Sequence, residues 1–349
     1  MGAQNVVAYS ACGGPSVSRA INRVRLHVRS RPVYLPIILV NGQMKSGFRR
    51  RLLSLVYSIL RVRILNALIR VPLKPLLPVL PKSIGDKFPV SGNVHLALPG
   101  LKPLVFKTDG RDSIASRIYW RGFHGHEPET LLLYLQLLKR SNVVVDVGAG
   151  TGIFTLIAGA ESKDRQVYSF EPVPEIFDSL RENIDANGLE NVTAVQGCAT
   201  NYLGEITLYV DDSLALPFTT SILEGYRHAS RTIVAPAMTL DAYVEENHIE
   251  KLDLLKIDAE GSDVTVLEGA TQVLRNQQPI IICEVLYTHT DKPLQDILDQ
   301  TDYQYFYITD EGLLPRKEIK GDHNYVFRNY LFVPKSKVTS ELSGLTIAS

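Results

Sequence analysis

The stretch 142–156, NVVVDVGAGTGIFTL, sets Gly148, Gly150 and Gly152 at alternate positions between two apolar runs. Val143, Val144 and Val145 are β-branched and read as a buried strand that Asp146 closes. Ile153, Phe154, Leu156 and Ile157 then recur at helical spacing. Strand, glycine turn and helix in that order offer backbone N–H groups and a positive helix end to a bound ligand. Glycine permits close approach there and a backbone turn with φ > 0. The spacing predicts a nucleotide-cofactor site, against the alternative of a purely structural turn. A dinucleotide fold wants a small residue where Ile153 stands, and a phosphate-cradling loop needs Gly-Lys-Ser/Thr, which is absent here.

Two further carboxylate positions narrow the chemistry. Val167 to Phe170 reads as the next strand and ends on Glu171, about twenty residues past the glycines, where an acid can accept both ribose hydroxyls. Its alternative role is to cap the helix that starts near Pro174. The run DLLKIDAEG, 253–261, is a strand with charge gathered at its carboxyl end, the edge at which ligands sit in open α/β sheets. Asp258 and Glu260 lie close enough for one carboxylate to raise the pKa of the other, which suits a general base. Alternatively, Glu260 caps a helix starting near Ser262 and Lys256 is a structural ion-pair partner. His289, beyond the strand that ends at Glu284, is a further candidate base at the same edge. His124 and His126 in FHGHEPET either line an acceptor pocket with Glu127 or sit in a solvated loop. No third metal ligand accompanies them, and no metal is expected.

The pattern D-x-G-x-G-x-G from Asp146 resembles the first motif of S-adenosylmethionine (SAM) dependent methyltransferases. The chain as a whole resembles the FkbM family of these enzymes, through FEPVP (170–174), LRENIDANGLENV (180–192), TLDAYV (239–244), LLKIDAEGSDVTVLEGA (254–270) and NYLFVP (329–334). The resemblance covers about 127–334. It departs at Gly150 or Thr151, where the family often has Asn, and at Asp263, where Glu is common. It implies an α/β, Rossmann-like class I methyltransferase fold, with a mostly parallel seven-stranded sheet in the order 3-2-1-4-5-7-6 and an antiparallel edge strand. It implies SAM as cofactor. Asp146 and the turn Gly148, Gly150, Gly152 would hold the methionine portion, Glu171 the ribose, and the segment with Gly197 and Cys198 the adenine. Asp258 would stand nearest the cofactor, with Glu260 toward the acceptor. The implied acceptor is a hydroxyl of a glycan, glycolipid or related natural product. A nicotinamide-dependent oxidoreductase and a non-catalytic cofactor-binding module are the competing readings.

Composition adds boundaries. Of 349 residues, 45% are hydrophobic and 21% charged, as in ordinary globular proteins. The net charge of zero hides an asymmetry: no acid precedes Asp86, whereas fourteen of the 37 basic residues do, leaving 23 against all 37 acids in the remainder. An acidic body argues against nucleic acid as partner. Cys12, Cys198 and Cys283 have no ligand spacing and read as free thiols of a reducing, cytoplasmic compartment. Residues 1–43 are irregular, arginine-bearing and acid-free, and translation from Met44 is one explanation. Residues 44–85 form a basic, apolar helical arm whose arginines argue against a spanning helix. As a helix its arginines do not gather on one face. The arm either packs on the catalytic domain or attaches peripherally to an anionic membrane through 44–82, and Pro72, Pro75, Pro78 and Pro81 suggest a stiff extended spacer. A small N-terminal element and helix (86–140), the SAM-binding domain (141–336) and a disordered tail (337–349) complete the expected organisation. Oligomeric state is not legible.

Overall fold

The computed structural model describes residues 56–79, 88–210, 220–221 and 231–348. The chain divides into residues 1–46, which lie outside the described residues together with the start expected at Met44, and a unit comprising 47–349. Helix α1 (Arg63–Leu73) contains Pro72 and runs into a 3-10 turn, Lys74–Val79, so Pro72, Pro75 and Pro78, expected to stiffen an extended spacer, instead close a helical segment, and Pro81 lies outside the described residues. A fixed φ near −65° serves a 3-10 turn as well as an extended chain. An antiparallel hairpin follows, β1 (Ser91–Leu96) and β2 (Leu104–Asp109), then α2 (Ser113–Arg121) and α3 (Pro128–Leu138).

The main sheet starts with β3 (Val143–Val147), α4 (Ile153–Glu161), β4 (Gln166–Phe170), α5 (Pro174–Ala186) and β5 (Val192–Val195). After it come short β6 (Cys198–Ala199), β7 (Gly204–Val210), β8 (Thr220–Ser221) and β9 (Arg231–Met238), then α6 (Leu240–Glu246), β10 (Leu254–Ile257), α7 (Asp263–Glu268) and β11 (Ile280–Glu284). The chain finishes with α8 (Asp291–Leu298), β12 (Tyr303–Thr309), β13 (Gly312–Arg316), β14 (Asn329–Pro334) and α9 (Val338–Glu341). The large sheet has the order β13-β12-β14-β11-β10-β3-β4-β5. Without β13 this is 6-7-5-4-1-2-3, the class I methyltransferase order. The sheet has eight strands rather than the expected seven, because β13 folds back on β12 as a hairpin. The order reverses between β3 and β10, so the crevice for a ligand opens beyond their carboxyl ends.

Both faces of the sheet are buried, by alternate residues of the same strands. Val144, Leu254 and Ile282 face one core with α3, α4 and the β1–β2 hairpin, while Val145, Leu255 and Ile281 face the other. Strands β7 and β9 do not join this sheet; with β6 and β8 they form a separate four-stranded one. Their one-sided burial explains why: GEITLYV buries only alternate residues, whereas LLKI and IIICE are buried throughout. The stretch 337–348 is not a disordered tail. Arg140 donates to the carbonyls of Glu341 and Ser343, and Leu313 exchanges backbone hydrogen bonds with Thr346 and Ala348.

Candidate active site

The glycine turn leaves β3 and is clamped from three sides. Gly148 and Ala149 both donate their backbone N–H to the Phe170 carbonyl, at 3.0 Å each. Thr151 donates its hydroxyl to Asp112, the buried cap of α2, at 2.7 Å, and Asn183 of α5 donates to the Thr151 carbonyl at 2.8 Å. Asn183 also accepts from Lys107 of β2. The N-terminal hairpin and α2 are thus parts of the site's scaffold. Gly148 has φ +76, and a Cβ on it would lie 2.0 Å from the Asp258 carbonyl. Only glycine lets β3's turn touch the end of β10, so one residue joins the two halves of the crevice.

The turn does not present a row of bare amides. Gly150 donates to Glu171 Oε2 at 3.0 Å, and Val173 donates to Oε1 at 2.9 Å. Each carboxylate oxygen keeps a lone pair for one further donor, the requirement for holding a ribose diol. Burial raises the Glu171 pKa to about 7, against the lowering by its two backbone donors. Gly148, Gly150, Glu171, Gly197, Cys198, Asp258 and Glu260 line a single cavity. The Cys198 thiol is pushed to about 12 by burial and the nearby Glu171, so it is an uncharged wall.

Three expected site residues stand elsewhere. Asp146 is 2% exposed and accepts the Thr155 hydroxyl at 2.7 Å, which also bonds Ser169; it braces α4 against β3 and β4 instead of meeting a ligand. Gly152, at φ +103, lies against Leu180 of α5 and lets two helices approach. His289 is exposed and outside the cavity, because Leu286 and Thr290 close a turn through Thr290 N–H to Leu286 O and Leu286 N–H to Thr290 Oγ1. Residues 211–219 and 222–230 lie outside the described residues.

In the place assigned to His289 stand His126 and Glu127, just before α3, with Arg117 of α2 and Arg328 before β14. Burial lowers the His126 pKa, against the pull of Glu127 and Asp258, so the imidazole is uncharged at neutral pH. Lys256, 1% exposed on β10, is the electrostatic centre. Burial opposes its charge, but Asp258, Glu127, Asp146 and Glu284 outweigh that and raise its pKa. Its ammonium is 3.3 Å from Asp258 and 4.8 Å from the Phe154 ring centroid. Glu284 accepts from Arg328 at 2.9 Å, and Glu127 accepts from Asn329 at 2.8 Å. Glu260 holds φ +48, an unusual and strained backbone for a non-glycine residue.

The signal for Glu284 was present: it closes the apolar run IIICE at the same sheet edge as Asp258. The signal for α2 was Asp112, an N-cap ahead of Ile114 and Ile118 at helical spacing. Among the described residues no group of three or more His, Cys, Asp or Glu side chains is arranged to hold a metal ion.

Residues 146–307 match the model of the Methyltransferase FkbM domain. The chain is 26% identical over 156 residues to the hexuronic acid methyltransferase AglP of Haloferax volcanii, covering 45% of this chain and 61% of that protein. It is 29% identical over 188 residues to the 31-O-demethyl-FK506 methyltransferase FkbM of Streptomyces tacrolimicus, covering 46% and 66%. A crystal structure of methyltransferase FkbM from Methylobacillus flagellatus aligns with TM-score 0.38 and 18% identity, over 63% of this chain and 54% of that one. The chain therefore spans less than two thirds of the length of these relatives.

Proposed function

We propose, on the premise that residues 146–307 constitute an FkbM methyltransferase domain, that this protein transfers the methyl group of SAM to a hydroxyl oxygen. The acceptor class we assign is a glycan, a glycolipid or a related natural product, in keeping with relatives named for a hexuronic acid and for FK506. The observation that carries the reading is a single cavity lined both by a ribose-type carboxylate, Glu171, and by the group His126, Asp258 and Glu260. Ile153, 4% exposed, fills the position a dinucleotide site keeps small and disfavours the oxidoreductase alternative.

SAM supplies an electrophilic methyl on a sulfonium. Glu171 would accept the ribose hydroxyls, and Gly197 and Cys198 would line the wall beside the adenine. Asp258, 3.3 Å from the Lys256 ammonium, would stand toward the sulfonium. His126, uncharged in the resting pocket, takes the proton from the acceptor hydroxyl as the oxygen attacks. Glu127 and Asp258 then stabilise the imidazolium, and Glu260 orients the acceptor. In-line alignment and exclusion of water provide the rest of the acceleration.

The experiment is the pH profile of kcat/KM with SAM and a glycolipid extract as acceptor source. The wild type should lose activity on the acidic side as His126 protonates, at a pKa below the ordinary imidazole value. His126→Ala should be slower by about 10²–10⁴-fold and should lack that acidic limb. A variant that keeps both the rate and the limb removes His126 as the base.

A further inference from the structure

Helix α1 is turned inside out relative to an ordinary surface helix. Its polar residues face the protein: Asn66 is fully buried, donating to the carbonyls of Leu60 and Pro89 at 2.7 Å and accepting the Ser91 N–H at 2.9 Å. Arg70 is 8% exposed, with its guanidinium 4.6 Å from the Tyr119 ring centroid. Three of its apolar residues face outward, while Leu73 packs on the core. Ile64, Leu68 and Val71, spaced i, i+4 and i+7, are 76%, 68% and 59% exposed, and Ile59, Val62 and Leu76 extend the stripe. The arm is therefore amphipathic, contrary to the sequence expectation, because the expectation followed the arginines and the asymmetry lies in the aliphatic residues. No helix among the described residues is long and apolar enough to cross a membrane.

We propose that this stripe is a docking surface for an anionic lipid bilayer, on which the protein lies peripherally. Charge selects the occupant. Every charged residue before Asp86 is basic, and Arg61, Arg63 and Lys74 flank the stripe in sequence. An exposed apolar face among basic residues matches the acyl boundary and headgroups of an anionic leaflet. A second copy of the chain would bring two such basic sets together and be repelled. The arm is also tied to the cavity: α2 carries Ser113, Ile114 and Arg117 into its lining and Tyr119 against Arg70. A bilayer seated on α1 would bring lipid-linked acceptors close to the crevice.

The test is sedimentation of the full chain, without SAM, with vesicles of phosphatidylcholine alone or mixed with phosphatidylglycerol. The wild type should pellet with the anionic vesicles and be released by high salt. Ile64→Ser, Leu68→Ser and Val71→Ser combined should weaken that partition by roughly tenfold or more, with unchanged circular dichroism and thermal unfolding. Equal pelleting of wild type and variant overturns the proposal. So does a wild-type dimer that the variant lacks, or crosslinking of residues 1–55 onto the stripe while vesicles are present. Because no cofactor is added, the outcome is independent of whether the methyl-transfer reading holds.

Discussion

Replacing Lys256 by Met should destabilise the protein by about 3–5 kcal/mol, the usual consequence of removing one partner from a buried ionic cluster. Lys256 is 1% exposed and is the cation shared by Asp258, Glu127, Asp146 and Glu284. Methionine keeps the volume of the side chain, so the loss reports the carboxylates left without a counter-charge and not a cavity. The sign of the pH dependence follows. The raised Lys256 pKa means that its own contribution is fully present below its unfolded value near 10.5, and so is constant across working pH. In the variant Asp146 and Glu284, whose carboxyls burial already raises above the ordinary range, lose a nearby positive charge, and protonation then favours the folded state. The deficit should therefore be smaller near pH 5.5 than near pH 8. Thermal unfolding at the two pH values measures it, with a drop at pH 8 of roughly 6–15 °C. A variant as stable as wild type at both would show that Lys256 does not balance the cluster.

Asp258→Asn should have the opposite character, with large kinetic and small structural consequences. Asparagine keeps the shape, and Lys256 retains three other carboxylates nearby, so folding should survive. In the proposed mechanism this carboxylate would face both the sulfonium and the His126 imidazolium, so kcat should fall by about 10²–10³-fold. KM for the acceptor should change little if Asp258 acts on charge developed in the transition state. Turnover near the wild-type rate in a folded variant would take Asp258 out of the mechanism.

The sequence made the sheet legible because its central strands, VVVDV, LLKI and IIICE, are buried on both faces and read as apolar runs interrupted only by Asp146, Lys256 and Glu284. The same rule, applied in reverse, separates β7: its alternation announces a strand covered on one side only, which belongs to the second sheet. The crevice was legible from chain order, since Gly148, Glu171 and Asp258 end consecutive neighbours in one sheet and must share an edge. What the sequence could not convey was direction. Asp146 and Gly148 are two residues apart, yet one points into the protein to Thr155 and the other opens on the cavity. His289 follows the correct edge but a turn between Leu286 and Thr290 aims it outward. Long-range contacts were equally silent: the ordering of residues 337–348 depends on Arg140, some two hundred residues earlier.

Calorimetric titration of the purified full chain with SAM, its demethylated product and NAD tests the central assignment most directly. The account predicts that both sulfur compounds bind and NAD does not. It further predicts that at pH 7 the heat varies with the ionisation enthalpy of the buffer, because Glu171, with a pKa of about 7 before binding, releases up to about half a proton on taking the ribose hydroxyls. Absence of binding by SAM and by its product, in protein shown to be folded, would contradict the account at its root.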